Sequence, residues 1–187
     1  MTAEKEAVAT VAGLMALAAR TAPKAKGQDE ILISVLTAAQ QKKLSRAMTE
    51  YGTKNGLGFF LRDAQNIAAS DGCIVIGARG NVFVGINCGA CGYPTCAAFA
   101  KASRTTKKRT TPFAGPNCAV RMADLGLAVG SAAKTAQINN VDNRIMYTAG
   151  SVAMNLGFLG KDCTVAYAIP LSASGKNIYF DRDGVKK

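Results

Sequence analysis

Four cysteines are the feature that most limits how this chain can fold. Cys88, Cys91 and Cys96 lie in one short run, CGACGYPTC, and Cys118 follows after twenty-one intervening residues. A cubane iron–sulfur cluster needs one thiolate for each iron, and many are held by three ligands on a tight loop with a remote fourth. Glycines beside the first two cysteines let the backbone fold closely around such a group. The spacing predicts a [4Fe-4S] cluster on these cysteines, in an inserted module at residues 87–118.

The main alternative for the same thiols is a zinc site made of four cysteines. Such sites typically use two short C-x-x-C pairs, and here only the first pair has that form. The chain contains no histidine, which excludes Ser-His and Cys-His catalytic pairs and any mixed cysteine–histidine zinc site. Cys73 and Cys163 fall in predicted apolar strands, where free cysteine behaves as a small buried hydrophobe, so we expect neither to be a ligand.

The N-terminal residues and the distribution of apolar residues predict where the protein is located. The first six residues include two acids and no basic stretch before an apolar run, so they do not predict a signal peptide. No run of about 18 uncharged apolar residues occurs, as a membrane-spanning helix would require. Cysteines in a chain without an export signal favour metal binding over disulfides. We expect one cytoplasmic domain over residues 1–187, with no membrane insertion.

Hydrophobic periodicity predicts strands alternating with helices in a layered α/β arrangement. The predicted helices cover residues 3–20, 37 to about 52, 59–70, 119–138 and 143–158, and the strands cover 31–36, 73–78, 164–171 and a short stretch near Ile178. Residues 82–86 extend or follow the second strand. Gly126 and Gly130 are four residues apart on one predicted helix, which favours either a tight crossing within the chain or a dimer seam.

The charge of the chain indicates an anionic partner without identifying it. The formal net charge is +11, and the densest basic run is Arg104, Lys107, Lys108 and Arg109. A solvated loop is the usual role of such a run. The bases could also offset the charge of a thiolate-ligated cluster, or dock an acidic electron carrier. A nucleic-acid groove has less support because aromatic residues are not interleaved with the bases.

The cysteine run resembles two known iron–sulfur modules. CGACGYPTC with a distant fourth cysteine is similar to the four-cysteine module of corrinoid iron–sulfur proteins and of the B subunit of Rnf electron-transport complexes. Over the whole chain, ARTAPKAKG, DLGLAVGSAAKTAQINNVDNRIMY and IPLSASGKNIYFDR resemble a family of prokaryotic ferredoxin-domain proteins. That resemblance implies an iron–sulfur protein and does not specify a reaction.

A fainter resemblance connects both ends of the chain to nitroreductase-like flavoproteins. It rests on Ala19-Arg20-Thr21-Ala22-Pro23 after the first helix, and on Pro170 in the late strand with Arg182 downstream. It implies an α+β fold with a nitroreductase-like three-layer core and an intertwined homodimer. It also implies FMN at the dimer interface, with Lys24, Lys26 and Arg182 as phosphate partners.

Together these observations predict an iron–sulfur electron-transfer protein or oxidoreductase that does one-electron chemistry with a redox partner protein, with a flavin as a candidate second centre. One alternative is a redox-sensing or structural-cluster module whose basic loop meets an acidic partner or nucleic acid. Another is a non-redox enzyme or subunit with a structural metal. No dinucleotide glycine fingerprint or phosphate loop is present, so nothing in the sequence indicates direct use of NAD(P)H or ATP.

Overall fold

The computed structural model describes residues 2–105 and 112–180. Its helices are α1 (Ala3–Thr21), α2 (Ala38–Asn55), α3 (Gly58–Ala69), α4 (Cys96–Thr105), α5 (Ala119–Ile138) and α6 (Tyr147–Asn155). Its strands are β1 (Ile31–Val35), β2 (Gly72–Ala78), β3 (Asp142–Asn143) and β4 (Val165–Ser172), and a short 3-10 turn spans Ala25–Gly27.

The four strands form one antiparallel sheet in the order β1-β2-β4-β3. Val75 of β2 lies opposite Ala168 of β4 in the centre of the sheet. Successive side chains of a strand point to opposite faces, so Ile74 and Val75 enter two different apolar layers. Both faces of β2 are covered, which explains why its sequence is apolar without alternation.

Helices pack against both faces of the sheet. The buried residues of α1 recur every three or four positions, and they pack with α5 against one face. The second face is covered by α2, α3 and α6, with Leu44, Met48 and Phe60 fully enclosed. The molecule is therefore a three-layer α+β structure, and the predicted α+β class is confirmed.

Gly150 lets α6 lie directly on β4. A Cβ atom at this position would overlap the carbonyl oxygen of Ala166. Met146, which precedes the helix, exchanges two backbone hydrogen bonds with Ala168, at 2.8 and 3.0 Å. This close contact fixes the second helical layer on the central strands.

Several predicted boundaries were wrong, each for a local reason. The second helix continues to Asn55, where Gly56 ends it in a left-handed conformation with φ of 65°. The helix predicted from residue 143 begins at Tyr147, because Asp142–Asn143 pairs with β4. Within the described residues, 82–86 and the region of Ile178 form turns or irregular chain and contribute no strand. Helix α4 was not predicted, because cysteines and glycines hid its short apolar face.

The two glycines of α5 do not mark a crossing within the chain. Neither Gly126 nor Gly130 has a neighbouring atom within 4 Å of an added Cβ position. The residues of α5 that do face inward are others, such as Leu125 and Ala128. The predicted tight crossing within the chain is therefore wrong, whereas the predicted dimer seam at these glycines stays a prediction.

None of the helices in the described residues has the length and apolar character needed to cross a membrane.

Candidate metal centre

All four cysteines singled out by their spacing line one small pocket. Cys88 and Cys91 lie in the loop between β2 and α4, Cys96 is the first residue of α4, and Cys118 immediately precedes α5. None of them is in a disulfide; Cys88 is exposed, whereas Cys118 is buried. The fold therefore brings two distant parts of the sequence to the same cavity.

Tight turns shape the loop that carries the first three thiols. Asn87, Gly89 and Gly92 have φ values of 49°, 72° and 84°, in the left-handed region that glycine and asparagine tolerate best. The side-chain oxygen of Asn87 accepts a hydrogen bond from the backbone N–H of Cys96 at 2.8 Å. That bond ties the start of the loop to its third cysteine.

Two of the four thiols sit at helix N-termini. The Thr95 side chain accepts a hydrogen bond from the Ala98 N–H at 3.1 Å and so caps α4 next to Cys96. Cys118 occupies the N-cap position of the twenty-residue helix α5. The positive end of a helix dipole stabilises nearby negative charge, which suits a thiolate or an anionic metal–thiolate group.

A small apolar cluster, separate from the two large ones, forms the pocket wall. Val84, Phe99 and Cys118 are its buried members. The ring of Tyr93 meets Phe99 edge to face at 5.9 Å between centroids. Apolar walls of this kind limit water access and so tune the properties of a bound metal group.

A network of hydrogen bonds braces the segment around Cys118. The Thr164 hydroxyl donates to the Asn117 side-chain oxygen at 2.6 Å and accepts from the Gly80 N–H at 2.9 Å. The Cys118 N–H in turn donates to the Gly80 carbonyl at 2.7 Å. An added Cβ at Gly80 would overlap Asn117. The chain after β2 and the residue before β4 thus hold the fourth cysteine.

Arg121 lies fully buried in the first turn of α5, and sequence analysis missed its role. Its guanidinium donates to the carbonyls of Val82 and Gln28, both at 3.0 Å, and pairs with Asp124 at 3.1 Å. Asp124 also accepts the Ala25 N–H at 2.9 Å. The pair joins the α5 N-terminus to the loops that flank the pocket. Its signal in the sequence was an Arg-x-x-Asp spacing inside an apolar helix.

The four thiols line one pocket, but they are not grouped closely enough to coordinate a metal ion together. Among residues 2–105 and 112–180, no three or more cysteine or carboxylate side chains are grouped so that they could hold a metal ion. The donor set nevertheless has four free thiols, and soft thiolates are the ligands that iron–sulfur clusters and zinc prefer.

Cys73 and Cys163 lie outside this pocket, in the apolar layer beside α6. Burial raises the pKa of the Cys73 thiol to about 12 and that of Cys163 to about 11. Both thiols therefore stay protonated at neutral pH. This placement agrees with the expectation that they are buried hydrophobes.

Of the residues predicted to bind a flavin phosphate, the structure describes Lys24 and Lys26. The Lys24 ammonium donates to the carbonyls of Ala19, Arg20 and Ala22 at the end of α1, and its side chain is 5% exposed. Lys26 is exposed, with φ of 55°. Arg182, like Lys107, Lys108 and Arg109, lies outside the described residues.

Family models match both the cysteine segment and the C-terminal part of the chain. One, described as "Uncharacterized protein containing a ferredoxin domain (DUF2148)", matches residues 114–182. A second, described as "Putative Fe-S cluster", matches residues 85–110. An uncharacterized protein of Archaeoglobus fulgidus is 44% identical over 179 residues, which are 96% of this chain and 94% of that protein.

Solved structures with a similar fold include two oxidoreductases and a nitroreductase. The NADPH:FMN oxidoreductase of Vibrio harveyi, complexed with NAD+, aligns with 95% of this chain at a TM-score of 0.53 and 11% identity. Nitroreductase A of Vibrio parahaemolyticus aligns with 100% at 0.52 and 9%, and a hypothetical oxidoreductase of Bacillus subtilis with 95% at 0.53 and 13%. This chain spans 62%, 69% and 59% of those three chains.

The core and the cysteine segment define the class as a ferredoxin-domain protein of general iron–sulfur, redox character on a nitroreductase-like α+β fold. The low identities to the solved structures show the fold alone. The chain belongs to the family of proteins containing a ferredoxin domain, together with the Archaeoglobus fulgidus protein. The family resemblance and the nitroreductase-like fold expected from the sequence are both confirmed.

Proposed function

We propose that this protein is a one-electron carrier or oxidoreductase whose Cys88, Cys91, Cys96 and Cys118 hold a [4Fe-4S] cluster. The observation that carries the proposal is the convergence of four free thiols on one pocket, from two segments that are twenty-one residues apart. When bound there, such a cluster accepts and releases single electrons. Residues 87–118 would then form a cofactor module on a single domain.

The backbone around the pocket supports a sulfur-rich group. In the part of the chain that the structure describes, the N–H groups of Ala90 and Cys91 donate no hydrogen bond. N–H groups near a cluster bond to its sulfur atoms and shift its potential. The two helix N-termini at Cys96 and Cys118 offset the negative charge of the ligand set. Each of these features favours an anionic centre.

The same residues determine access to the site. Phe99 is 1% exposed and closes the inner wall of the pocket. Water therefore approaches from the side of Cys88, which is exposed. An electron would enter or leave on that side. Arg121 holds the loop of Val82 against α5, which keeps the two ligand segments together.

FMN is a second candidate cofactor, suggested by the fold. The described residues do not fit a phosphate site at Lys24, because its ammonium already bonds three carbonyls. The FMN prediction therefore depends on Lys26 and Arg182. We assign no chemical step to a flavin.

A homodimer is the assembly we propose, formed through the outer face of α1 and α5. This face exposes Leu14, Leu17 and Leu127 at 43%, 59% and 50%, beside the open Gly126 and Gly130. Small residues let a partner helix approach closely. Leu17→Lys is expected to produce a monomer by light scattering, whereas Val35→Lys on β1 leaves the dimer intact. A monomer for the unchanged protein would reject this assembly.

Anaerobic purification with metal, sulfide and flavin analysis tests the cluster. We expect broad absorption near roughly 400 nm and about four irons per chain, as a four-iron cluster with one thiolate per iron requires. Cys91→Ser and Cys118→Ser should lose both signals. The matched controls, Cys73→Ala and Cys163→Ala, should keep them.

Zinc without sulfide would overturn the electron-transfer proposal and leave a structural metal site on the same thiols. Absorption that survives in Cys118→Ser would place the fourth ligand elsewhere. Stoichiometric FMN that is lost in Lys26→Glu would establish the flavin as a second centre.

A further inference from the structure

The segment around the pocket is strongly one-sided in charge. Residues 72–123 contain seven lysines and arginines and no aspartate or glutamate. Two of these bases are paired with carboxylates from elsewhere, because Arg79 meets Glu30 at 3.2 Å and Arg121 meets Asp124 at 3.1 Å. Lys101 and Arg104 on α4 are exposed, and neither forms a salt bridge to another described residue.

An exposed apolar rim adjoins the same helix. Phe83 and Ile86 line the pocket, yet they are 39% and 47% exposed. The ring of Phe83 packs edge to face on Phe99 of α4 at 6.4 Å between centroids. The exposed Cys88 borders this rim. Apolar contacts surrounded by charge are typical of protein docking surfaces, where the apolar part gives contact and the charges orient the encounter.

We propose that this rim, with Lys101 and Arg104, docks a small acidic electron-carrier protein. The inference rests on the proposed function, because it names the partner of the same pocket. In the transfer, the reduced carrier loses one electron and the centre in the pocket gains it, with no bond made or broken. The positive surface steers the carrier, and the exposed Cys88 side receives the electron at the shortest approach.

A protein partner fits this surface better than a nucleic acid. Single-stranded nucleic acids bind by stacking their bases on exposed aromatic rings along a basic groove. Here Phe99 is buried and Tyr93 packs on it edge to face, so both rings belong to the wall of the pocket. Phe83 is the exposed ring of the rim, and one ring does not form a track for successive bases. The absence of carboxylates over residues 72–123 instead complements an acidic protein surface.

The experiment measures binding of an acidic flavodoxin to the anaerobically purified protein at low and high salt. The double variant Lys101→Glu/Arg104→Glu is expected to weaken binding by about tenfold or more at low salt, because like charges would then face each other. The matched control is Lys42→Glu/Arg46→Glu on α2, which makes the same change in net charge on a different helix, in the layer formed by α2, α3 and α6. We expect the control to weaken binding by less than about threefold, since distant surface charges are screened.

A second variant tests the apolar rim without changing the charge. Ile86→Ser should weaken flavodoxin binding several-fold and leave the salt dependence unchanged. Equal losses in the α4 variant and the α2 control would overturn the proposal, because net charge alone would then explain binding. Tighter binding of a single-stranded oligonucleotide, lost in the α4 variant, would overturn it in favour of a nucleic acid.

The absorption spectrum of each sample separates this inference from the proposed function. A protein with its cluster that fails to bind flavodoxin overturns the docking surface and leaves the electron-transfer proposal standing. A protein without a cluster that binds flavodoxin through Lys101 and Arg104 supports the surface and overturns the cluster.

Discussion

Cys73 and Cys118 are both buried, but by different means. Cys73 lies in the sheet, among apolar side chains from β2, β4 and the helices beyond. Among the described residues, Cys118 belongs to a cluster with two other buried members, and its N–H donates a hydrogen bond to the Gly80 carbonyl that holds its position. The first environment exists without any ligand, because hydrophobic burial maintains it. The second has little apolar area, so we expect its order to depend on what the thiols bind.

The largest effect should come from disturbing the first region at Gly150. Gly150→Ala places a methyl group against the Ala166 carbonyl, so α6 must move off β4. Overpacking of this kind costs about 3 kcal/mol or more when backbone atoms oppose each other. Urea denaturation measures it. Gly58→Ala, with no atom within 4 Å, is the control and should change stability little. A loss similar to that of the control would show that the two layers are loosely joined.

Removing the proposed cluster should affect the second region and leave the first unchanged. After anaerobic chelation, we expect amide hydrogen exchange in residues 85–96 to become at least about tenfold faster, because local opening then costs less. Amides of β2 and β4 should keep their protection. Mass spectrometry of peptides from both regions makes the measurement. Equal loss of protection in the sheet would contradict the distinction drawn between the two regions.

Thr164→Val tests the connection between the regions. It removes the hydrogen bonds to Asn117 and Gly80, and each lost bond to a partly buried partner costs about 1 kcal/mol. We also expect iron to leave the protein faster when a chelator is added, since Cys118 loses its support. Thr49→Val on α2, whose hydroxyl also bonds a backbone carbonyl, is the control. Iron release at the unchanged rate would show that Cys118 is positioned by α5 alone.

The smallest effect concerns the thiol of the core. Burial raises the pKa of Cys73 from 9.0 to about 12, so the folded state keeps this proton more firmly than the unfolded state. Its contribution to stability is complete below about pH 9 and is lost as the pH rises toward 12. Between pH 8 and 9.5, Cys73→Ala should lose less stability than the unchanged protein, by roughly 1 kcal/mol or less. Parallel slopes in denaturation experiments would show that Cys73 ionises freely in the folded protein.

The core was predictable because its elements follow hydrophobic period and standard caps. The Thr37-Ala38-Ala39-Gln40 pattern does form a capping box, with both reciprocal hydrogen bonds present. Strand β2 occupies Gly72–Ala78, where an apolar run predicted 73–78. The antiparallel sheet order was not predicted, because strand pairing depends on contacts between distant parts of the chain.

For the cysteine segment, the sequence predicted which side chains line the pocket, but it did not predict most of the residues that hold them in place. The spacing indicated that Cys118 would join Cys88, and the two do line one pocket. Thr164 braces a residue 47 positions away, so no local pattern reveals that contact. The Arg-x-x-Asp spacing of Arg121 and Asp124 is visible in the sequence, but their bonds to the distant residues Val82 and Ala25 are not. The sequence also did not reveal that Lys24 bonds the carbonyls at the end of α1. A lysine after a helix is compatible both with that role and with binding a flavin phosphate.

The brace on Cys118 has a consequence for the order of synthesis. Cys88, Cys91 and Cys96 leave the ribosome long before Thr164, which completes the hydrogen bonds around Gly80 and Asn117. A nascent chain can therefore offer three thiols early, but the braced fourth thiol requires the strand that follows Thr164. Under the proposed ligand set, the cluster would bind completely only to chains that have been synthesised and folded beyond Thr164. The absorption of a bound cluster would then report that both steps had taken place.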